Sequence, residues 1–364
     1  MTLQRMPLQA ETRPAIAVAS QAQPQLTRDL VRLNVRHDID GLARLEMTLT
    51  AIGHREGDAQ ESLLWLDGQV LDFGREMDIT IGAGDGRASV FAGRISAIEL
   101  DMSQGRAPEV TVRAEDRLMD LRMTHRFKTY EQVSDAELLQ QIASQHGLQA
   151  QADVDGPRHA CLQQWNQSDL AFLRERARRL GAELWLDGRT LHMAAREQRQ
   201  QPLVTLIQGN NLVHVQLRAD VADQRSSVNV AGWDDAQAEA LDEAANDSEV
   251  QAEAQGGTHG PAVLQRAFGE RASHRTREVP LKGDEARVWA RAQLLTRARR
   301  FVRASGVADG DAGLQVGSRL CLQRVSPLFE GEGYVVTQVE HRFDLAQGYR
   351  THFEAERAWV GQGA

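Results

Sequence analysis

The residues of this chain whose types could do chemistry are eleven histidines, two cysteines, many carboxylates and two glycine-aspartate clusters, and each needs partners at a set spacing. The histidines include no H-E-x-x-H and no other close ligand spacing, which leaves only a metal site assembled from sequence-distant residues. His192 and His341 read as ordinary sheet residues. Cys161 and Cys321 are too few for a disulfide framework or a cysteine zinc site and read as buried or half-buried thiols of a reducing compartment. Gly82-Ala83-Gly84-Asp85-Gly86 invites a phosphate loop, but its spacing fits neither nucleotide fingerprint and no Lys-Ser/Thr pair follows, so a hairpin loop is expected. Asp309-Gly310-Asp311 begins like a calcium loop, yet Leu320 stands where the twelfth position requires a glutamate, so it reads as a turn. No G-x-S-x-G elbow occurs, and the carboxylates are too numerous for any pair to stand out. The expectation is no catalytic, cofactor-binding or metal-ligating residue, and a chain that is not an enzyme.

The elements that carry these residues are better defined. A length of 364 residues suggests two or three domains. The net charge of -9 argues against a general nucleic-acid binder, and no apolar run reaches the ~20 residues of a membrane span. No secretory signal is read at the N-terminus, which has Pro14, Pro24 and a short apolar piece at Ala15 to Val18. From Gln25 to Leu100 the pattern has period two: Val31, Leu33, Val35 and then Leu45, Met47, Leu49 alternate with polar residues, as half-buried antiparallel strands do. Short strands at this spacing favour a small barrel or sandwich.

The middle of the chain switches to helical spacing. Ser134 and Glu137 form a capping box for a helix to His146, stopped at Gly147, with Leu138, Leu139, Ile142 and Ala143 inward. Ser168 caps a second helix, whose Leu170, Leu173, Ala177 and Leu180 make one apolar stripe with Arg174, Glu175, Arg178 and Arg179 largely off it; Gly181 ends it, and Asp187-Gly188 then predicts a two-residue hairpin. Strand patterns return from Leu203 to Ile207, Leu212 to Leu217 and Ser227 to Asp234. Asp234 to Ala254 carries eight acidic residues and no Lys or Arg, and reads as an exposed, mobile or partly helical insertion. A long helix follows from about Asp284 to about Ala304, with Val288, Ala292, Leu295, Ala298 and Phe301 as its stripe. Its arginines default to a solvated face, for which the acidic insertion offers a counterpart within the chain. Further strands run over Ser318 to Val325, Gly333 to Phe343 and Tyr349 to Glu356.

The stretch W-N-Q-S-D-L-A-F-L-R-E-R-A-R-R-L-G-A-E-L-W-L-D-G-R-T-L-H, Trp165 to His192, resembles one family: the baseplate hub of contractile phage tails and related injection machines, known as late control gene D proteins and as the hub part of VgrG-type spikes. F-A-G-R-I at Phe91, V-T-V-R-A-E-D-R-L at Val110, G-N-N-L at Gly209, V-N-V-A-G-W-D at Val228, G-L-Q-V-G-S-R-L at Gly313, G-E-G-Y-V-V-T-Q-V-E-H-R-F-D at Gly331 and G-Y-R-T-H-F-E-A-E-R at Gly348 resemble hub segments in the same order. Phe91, Gly93, Trp165, Phe172, Gly181, Trp185, Gly232, Trp233 and Tyr334 carry that likeness as structural residues.

The resemblance implies an α+β, mainly β fold with two tube-protein-like antiparallel β-barrels and an inserted α+β module. The expected division is 1-123 for the first barrel, 124-200 plus 235-304 for the module and insertion, and 201-234 plus 305-364 for the second barrel. It also implies a homotrimer that joins a central spike to the tail tube, seeds tube assembly and lines the delivery channel. The implied setting is the bacterial cytoplasm during assembly and a phage or phage-like particle thereafter, with other baseplate components as partners and no membrane anchoring. VgrG-type chains continue into an oligonucleotide/oligosaccharide-binding fold and a β-helical spike, whereas this sequence ends at Ala364, so a separate spike protein is expected. The alternative from another class is a cell-wall-degrading or glycan-binding tail component, whose signature would be a cleft with paired carboxylates.

Overall fold

The computed structural model describes residues 13–54, 61–82, 87–199, 201–235, 237–278 and 281–361. Most of the Gly82 to Gly86 loop lies outside them. The first part of the chain folds as β1 (Ala15–Val18), β2 (Gln21–Ala22), α1 (Pro24–Asp29), β3 (Leu30–Asp38), β4 (Arg44–Thr50), β5 (Ile52–His54), β6 (Glu61–Leu63), β7 (Glu76–Ile81), β8 (Ala88–Asp101) and β9 (Glu109–Glu115). Its alternation has the expected cause. Leu33 and Val35, Leu45, Met47 and Leu49, Met77, Ile79 and Ile81, and Val110, Val112 and Ala114 all turn the same way into one apolar core. The register keeps them together, with Met47 opposite both Leu33 and Val112.

The middle module comprises α2 (Leu118–Met123), β10 (His125–Val133), α3 (Asp135–Gln145), β11 (Gln149–Asp153), β12 (His159–Ser168), α4 (Asp169–Leu180), β13 (Ala182–Asp187) and β14 (Thr190–Ala195). The capping box at Ser134 and the Ser168 cap are both formed, and the hairpin turns at Asp187-Gly188. Trp165 stands on β12, ahead of the helix. Leu138, Leu139, Ile142, Leu170, Phe172, Leu173, Leu191 and Met193 share a second core.

The chain then runs through β15 (Leu203–Ile207), β16 (Leu212–Ala219), β17 (Ser227–Asp234), β18 (Glu239–Asn246), α5 (Ser248–Gln251), β19 (Thr258–His259), α6 (Gly260–Phe268), β20 (Ala272–Glu278), α7 (Gly283–Arg299), β21 (Val302–Asp309), β22 (Arg319–Gln323), β23 (Gly331–Asp344), β24 (Gly348–Arg357) and β25 (Trp359–Val360). Three features differ from the sequence expectation. The acidic insertion, helical at α5 and largely exposed as expected, also forms a strand, β18, which pairs along the whole of β17 and buries Ala245. β17 does not join the second large strand set; it pairs with β18 and β20, and its Val228 and Val230 pack against Ala286, Trp289 and Ala290 of α7. The helix α7 stops at Arg299, and Phe301 and Val302 enter the core beneath β21 instead of extending a helical stripe.

One mainly antiparallel sheet of thirteen strands unites the two ends of the chain, in the order β16-β21-β24-β23-β3-β4-β9-β8-β7-β1-β2, with β22 on β23 and β15 on β22. It wraps two cores. The first is described above; the second collects Leu206, Val302, Leu320, Tyr334, Val339 and Phe353 from β15, β21, β22, β23 and β24. The two strand sets meet where β3 pairs with β23, from Gln338 opposite Asp38 to Asp344 opposite Arg32. Among the described residues neither set closes on itself by a full ladder; Gln208, just past β15, makes an isolated bridge to Leu212 at the start of β16.

Candidate functional site

Helix α4 is the element around which the polar chemistry gathers. Its first residue, Asp169, is fully buried and accepts hydrogen bonds from Arg126 Nε (2.9 Å), His146 Nε2 (2.8 Å) and Gln164 Nε2 (2.9 Å). Burial alone would raise its pKa, but these donors outweigh it and hold the carboxyl below its ordinary value. About two turns on, Arg176 Nε reaches buried Asp135 at 2.6 Å, and His159 lies between Asp135 (3.1 Å) and Glu285 of α7 (2.7 Å). Against the cost of burial, bonds from His159 and Arg176 bring Asp135 down to about 2, while Asp135 and Glu285 raise His159. This Asp-Arg-His-Glu cluster ties α3, β12, α4 and α7 together. It holds no nucleophile, and its acid and base are consumed by each other.

The sequence reading missed this cluster because its members lie far apart along the chain. One signal was available: Arg176 falls on the stripe of Leu173, Ala177 and Leu180, and a charge on an apolar stripe must find a buried partner.

Gly181 ends α4 in the left-handed conformation, φ +67°, and a Cβ there would sit 3.1 Å from the Ala292 methyl of α7. That close crossing leaves a cleft of about 740 Å³ between α4, α7 and the large sheet at β3, β16, β21, β23 and β24. Eight arginines and five carboxylates line it, and no aromatic side chain does. Arg196 is committed to Glu183 (2.6 Å) and Glu356 (2.7 Å); burial works against its charge, but the two glutamates outweigh it and lift it above its ordinary value. Arg178 reaches Asp40 at 3.4 Å. Arg174, Arg300 and Arg303 have no hydrogen-bonded or ion-paired side-chain partner among the described residues. Burial pushes Arg174 below its ordinary value despite the attraction of Asp40 and Asp38.

The arginines of α7 that meet the acidic insertion are treated differently. Arg287 meets Glu243 at 3.1 Å, Arg291 meets Glu249 at 2.9 Å and Arg299 meets Glu253 at 2.6 Å. The acidic insertion therefore supplies counter-charge to this helix within the chain, while Arg287 and Arg291 stay on a solvated face and only Arg299 is buried.

The residues carrying the family likeness do not converge on one place. Phe91, Phe172 and Tyr334 are buried. Gly93 lies against the first core, where a Cβ would collide with the Glu115 carbonyl and the Phe91 ring. Trp185 is half-buried, stacked on His192 (4.9 Å between centroids) with the Arg199 guanidinium 4.9 Å from its ring. Gly232 sits at the register shift between β17 and β20, with Trp233 partly exposed beside it. Trp165 is 70% exposed, directly across the two-stranded ribbon β10-β12 from Phe127, which is 80% exposed. Cys161 also faces outward on this ribbon and is exposed, contrary to the reading of a buried or half-buried thiol, which Cys321 does meet. Asp309 pairs with Arg350 and Asp311 accepts from the Gly313 amide, as in a turn. His341 is buried at the β3-β23 joint, where its Nδ1 lies 2.8 Å from the Tyr349 hydroxyl and burial pushes its pKa down to about 3. Among the described residues no group of three or more His, Cys, Asp or Glu is arranged to hold a metal ion, and no helix is long and apolar enough to cross a membrane.

Residues 12–344 match the family described as the Alg8 N-terminal domain. No curated protein matches the chain. Among solved structures, the fold is similar to the 43 kDa tail protein of prophage MuSo2 from Shewanella oneidensis, with TM-score 0.69 and 12% identity over 95% of this chain and 98% of that one. It is similar to a tail protein from Neisseria meningitidis MC58, with TM-score 0.66 and 12% identity over 95% and 97%. It is also similar to the E. coli c3393 protein, a component of the type VI secretion system with structural similarity to T4 bacteriophage tail proteins gp27 and gp5, with TM-score 0.56 and 11% identity over 92% and 76%. The fold is thus one found in phage tail proteins and in a type VI secretion component.

Proposed function

The chain belongs to the Alg8 N-terminal domain family, and from that premise and its tail-protein fold we propose that it is the structural baseplate hub of a contractile phage tail or phage-like injection system. It joins the central spike to the tail tube, offers the template on which the first tube ring assembles, and borders the channel through which cargo leaves. Its work is geometric, without enzyme chemistry.

The observation that carries this reading is the construction of the large sheet. Two strand sets, each wrapped around its own apolar core, are joined edge to edge at β3 and β23. One chain thus supplies two tube-like units, each a barrel completed in the assembly, and three chains supply six. Such a ring fits a threefold spike on one side and a sixfold tube on the other. The eight-residue edge strand β16, paired only with β21 along its length, is the kind of edge that ring closure covers.

Light scattering coupled to size-exclusion chromatography tests it, with and without a spike protein encoded beside it. A species of about three times the 40.4 kDa chain, ring-shaped by electron microscopy, is expected. A monomer under every condition, with neither spike nor tube protein co-migrating, overturns the reading.

A further inference from the structure

We propose that the cleft between α4, α7 and the large sheet is a docking site for an acidic polypeptide segment of a partner, whose Asp and Glu carboxylates pair with Arg174, Arg300 and Arg303.

Along α7 the chain places a carboxylate from the acidic stretch Glu243 to Glu253 against each of Arg287, Arg291 and Arg299, the last of which also borders the cleft. Among the described residues no such segment pairs with Arg174, Arg300 or Arg303. Arg300, just past the end of α7, and Arg303 on β21 face Arg174 of α4 around one concavity, and none of the three has a side-chain partner among the described residues. Crowding guanidinium groups of one sign against partly desolvating walls raises their electrostatic energy, and an opposite charge entering the cleft relieves it. Arginine is suited to this role because its planar fork accepts a carboxylate through two parallel hydrogen bonds.

The same lining selects polypeptide over nucleic acid. Asp38, Asp40 and Glu354 stand among the arginines and would repel a continuous phosphate chain, whereas a peptide can space its acids to avoid them. Gln216, Gln293 and Gln338 offer amides for a peptide backbone. No ring lines the cleft on which a base could stack. The proposal goes beyond the hub reading and does not depend on it, since it concerns a site complete within one chain.

A fluorescein-labelled deca-glutamate peptide, titrated with the full chain at low ionic strength and followed by anisotropy, tests the site. Saturable binding at one peptide per chain is expected, weakened at least about tenfold in R174Q/R300Q/R303Q and less than about twofold in the charge-matched control R106Q/R113Q/R122Q. Because the three cleft arginines lack hydrogen-bonded or ion-paired side-chain partners among the described residues, the cleft variant should melt with the parent. Should it fail to fold, Arg303→Glu alone, at an exposed position, should weaken the peptide in the same direction. Equal weakening by both triple variants, tighter binding of an oligothymidylate of equal charge, or no saturable binding overturns the proposal. None of these outcomes bears on whether the chain forms rings.

Discussion

The first strand set and the α3-α4-α7 module are both well buried, but they are held by different forces. Around Met47 and Val112 the interior is apolar, with Thr48 as a rare polar intruder that meets Thr111 at 3.0 Å. In the module, buried positions include Asp135, His159, Gln164, Asp169 and Arg176, each matched to a partner. An apolar interior follows from alternation and tolerates repacking, whereas a paired polar interior specifies one arrangement and fails when a single partner is lost.

The largest effect that would separate the two regions is expected at Asp169. Asp169→Ala leaves Arg126, His146 and Gln164 facing a void and should cost about 3 to 5 kcal/mol by denaturant titration. A loss below about 1 kcal/mol would mean that the module is not held by its polar pairs.

Met47→Ala, a deletion of purely apolar contacts, should cost roughly 3 kcal/mol. That loss should be the same at about pH 3 and pH 7, since no charge is involved.

Acid should act on the module instead. The folded pKa of Asp135 lies below its unfolded value, so its contribution is complete above the ordinary carboxylate value of 3.8 and is lost as pH falls toward about 2. In Asp135→Asn the acid limb of the stability curve should flatten; an unchanged limb would place the acid sensitivity elsewhere. Asp116, at the boundary of the two regions, has the opposite sign. Burial outweighs the amides of Ala43 and Leu118 and raises it to about 6, so the folded state holds the extra proton between 3.8 and 6 and stability falls as pH rises through that window. Asp116→Asn should therefore gain on the parent at neutral pH relative to pH 4, read from melts at both values.

The smallest effects belong to the tryptophans. Trp185→Ala, which removes one stacked ring and one cation-π contact from a half-buried site, should cost about 1 to 2 kcal/mol, less than a fully buried ring would. Trp165→Ala should stay within about 0.5 kcal/mol in the isolated chain. A larger loss at Trp165 would show that its ribbon packs against more than the chain itself provides.

The same division explains what the sequence made legible. Strands such as β4 and β9 announce themselves by alternation, and α3 and α4 by Ser134 with Glu137 and by Ser168 with Gly181. The helix α7 was found, but its buried side was read too narrowly. It lies between α4 and the β17-β18-β20 sheet, so Trp289, flanked by Arg179 and Arg275, and Leu294 are buried along with Ala292 and Ala298. Strand β18 was illegible because its alanines and acids have low strand propensity, and its order comes from Arg287 and from the ladder with β17. The cleft and the Asp135 cluster were illegible for a simpler reason: their residues meet only after folding. Arg357 shows the same limit. It is buried between the rings of Tyr334 and Trp359, and it donates to the carbonyls of Leu328, Glu330, Glu332 and Trp359, none of which a sequence pattern marks.

The pairing of β3 with β23 also sets an order of events in time. Asn34 and Glu340, hydrogen-bonded across that joint, are 306 residues apart. During synthesis the N-terminal strands can gather around their own core, yet the β3 edge has no mate until Gln338 to Asp344 have left the ribosome. For that interval the nascent chain carries an open strand edge that a neighbouring copy can occupy in error. Slow translation or crowding of nascent copies should therefore favour strand-exchanged aggregates over the correctly paired chain, and the emergence of β23 is the step that ends the hazard.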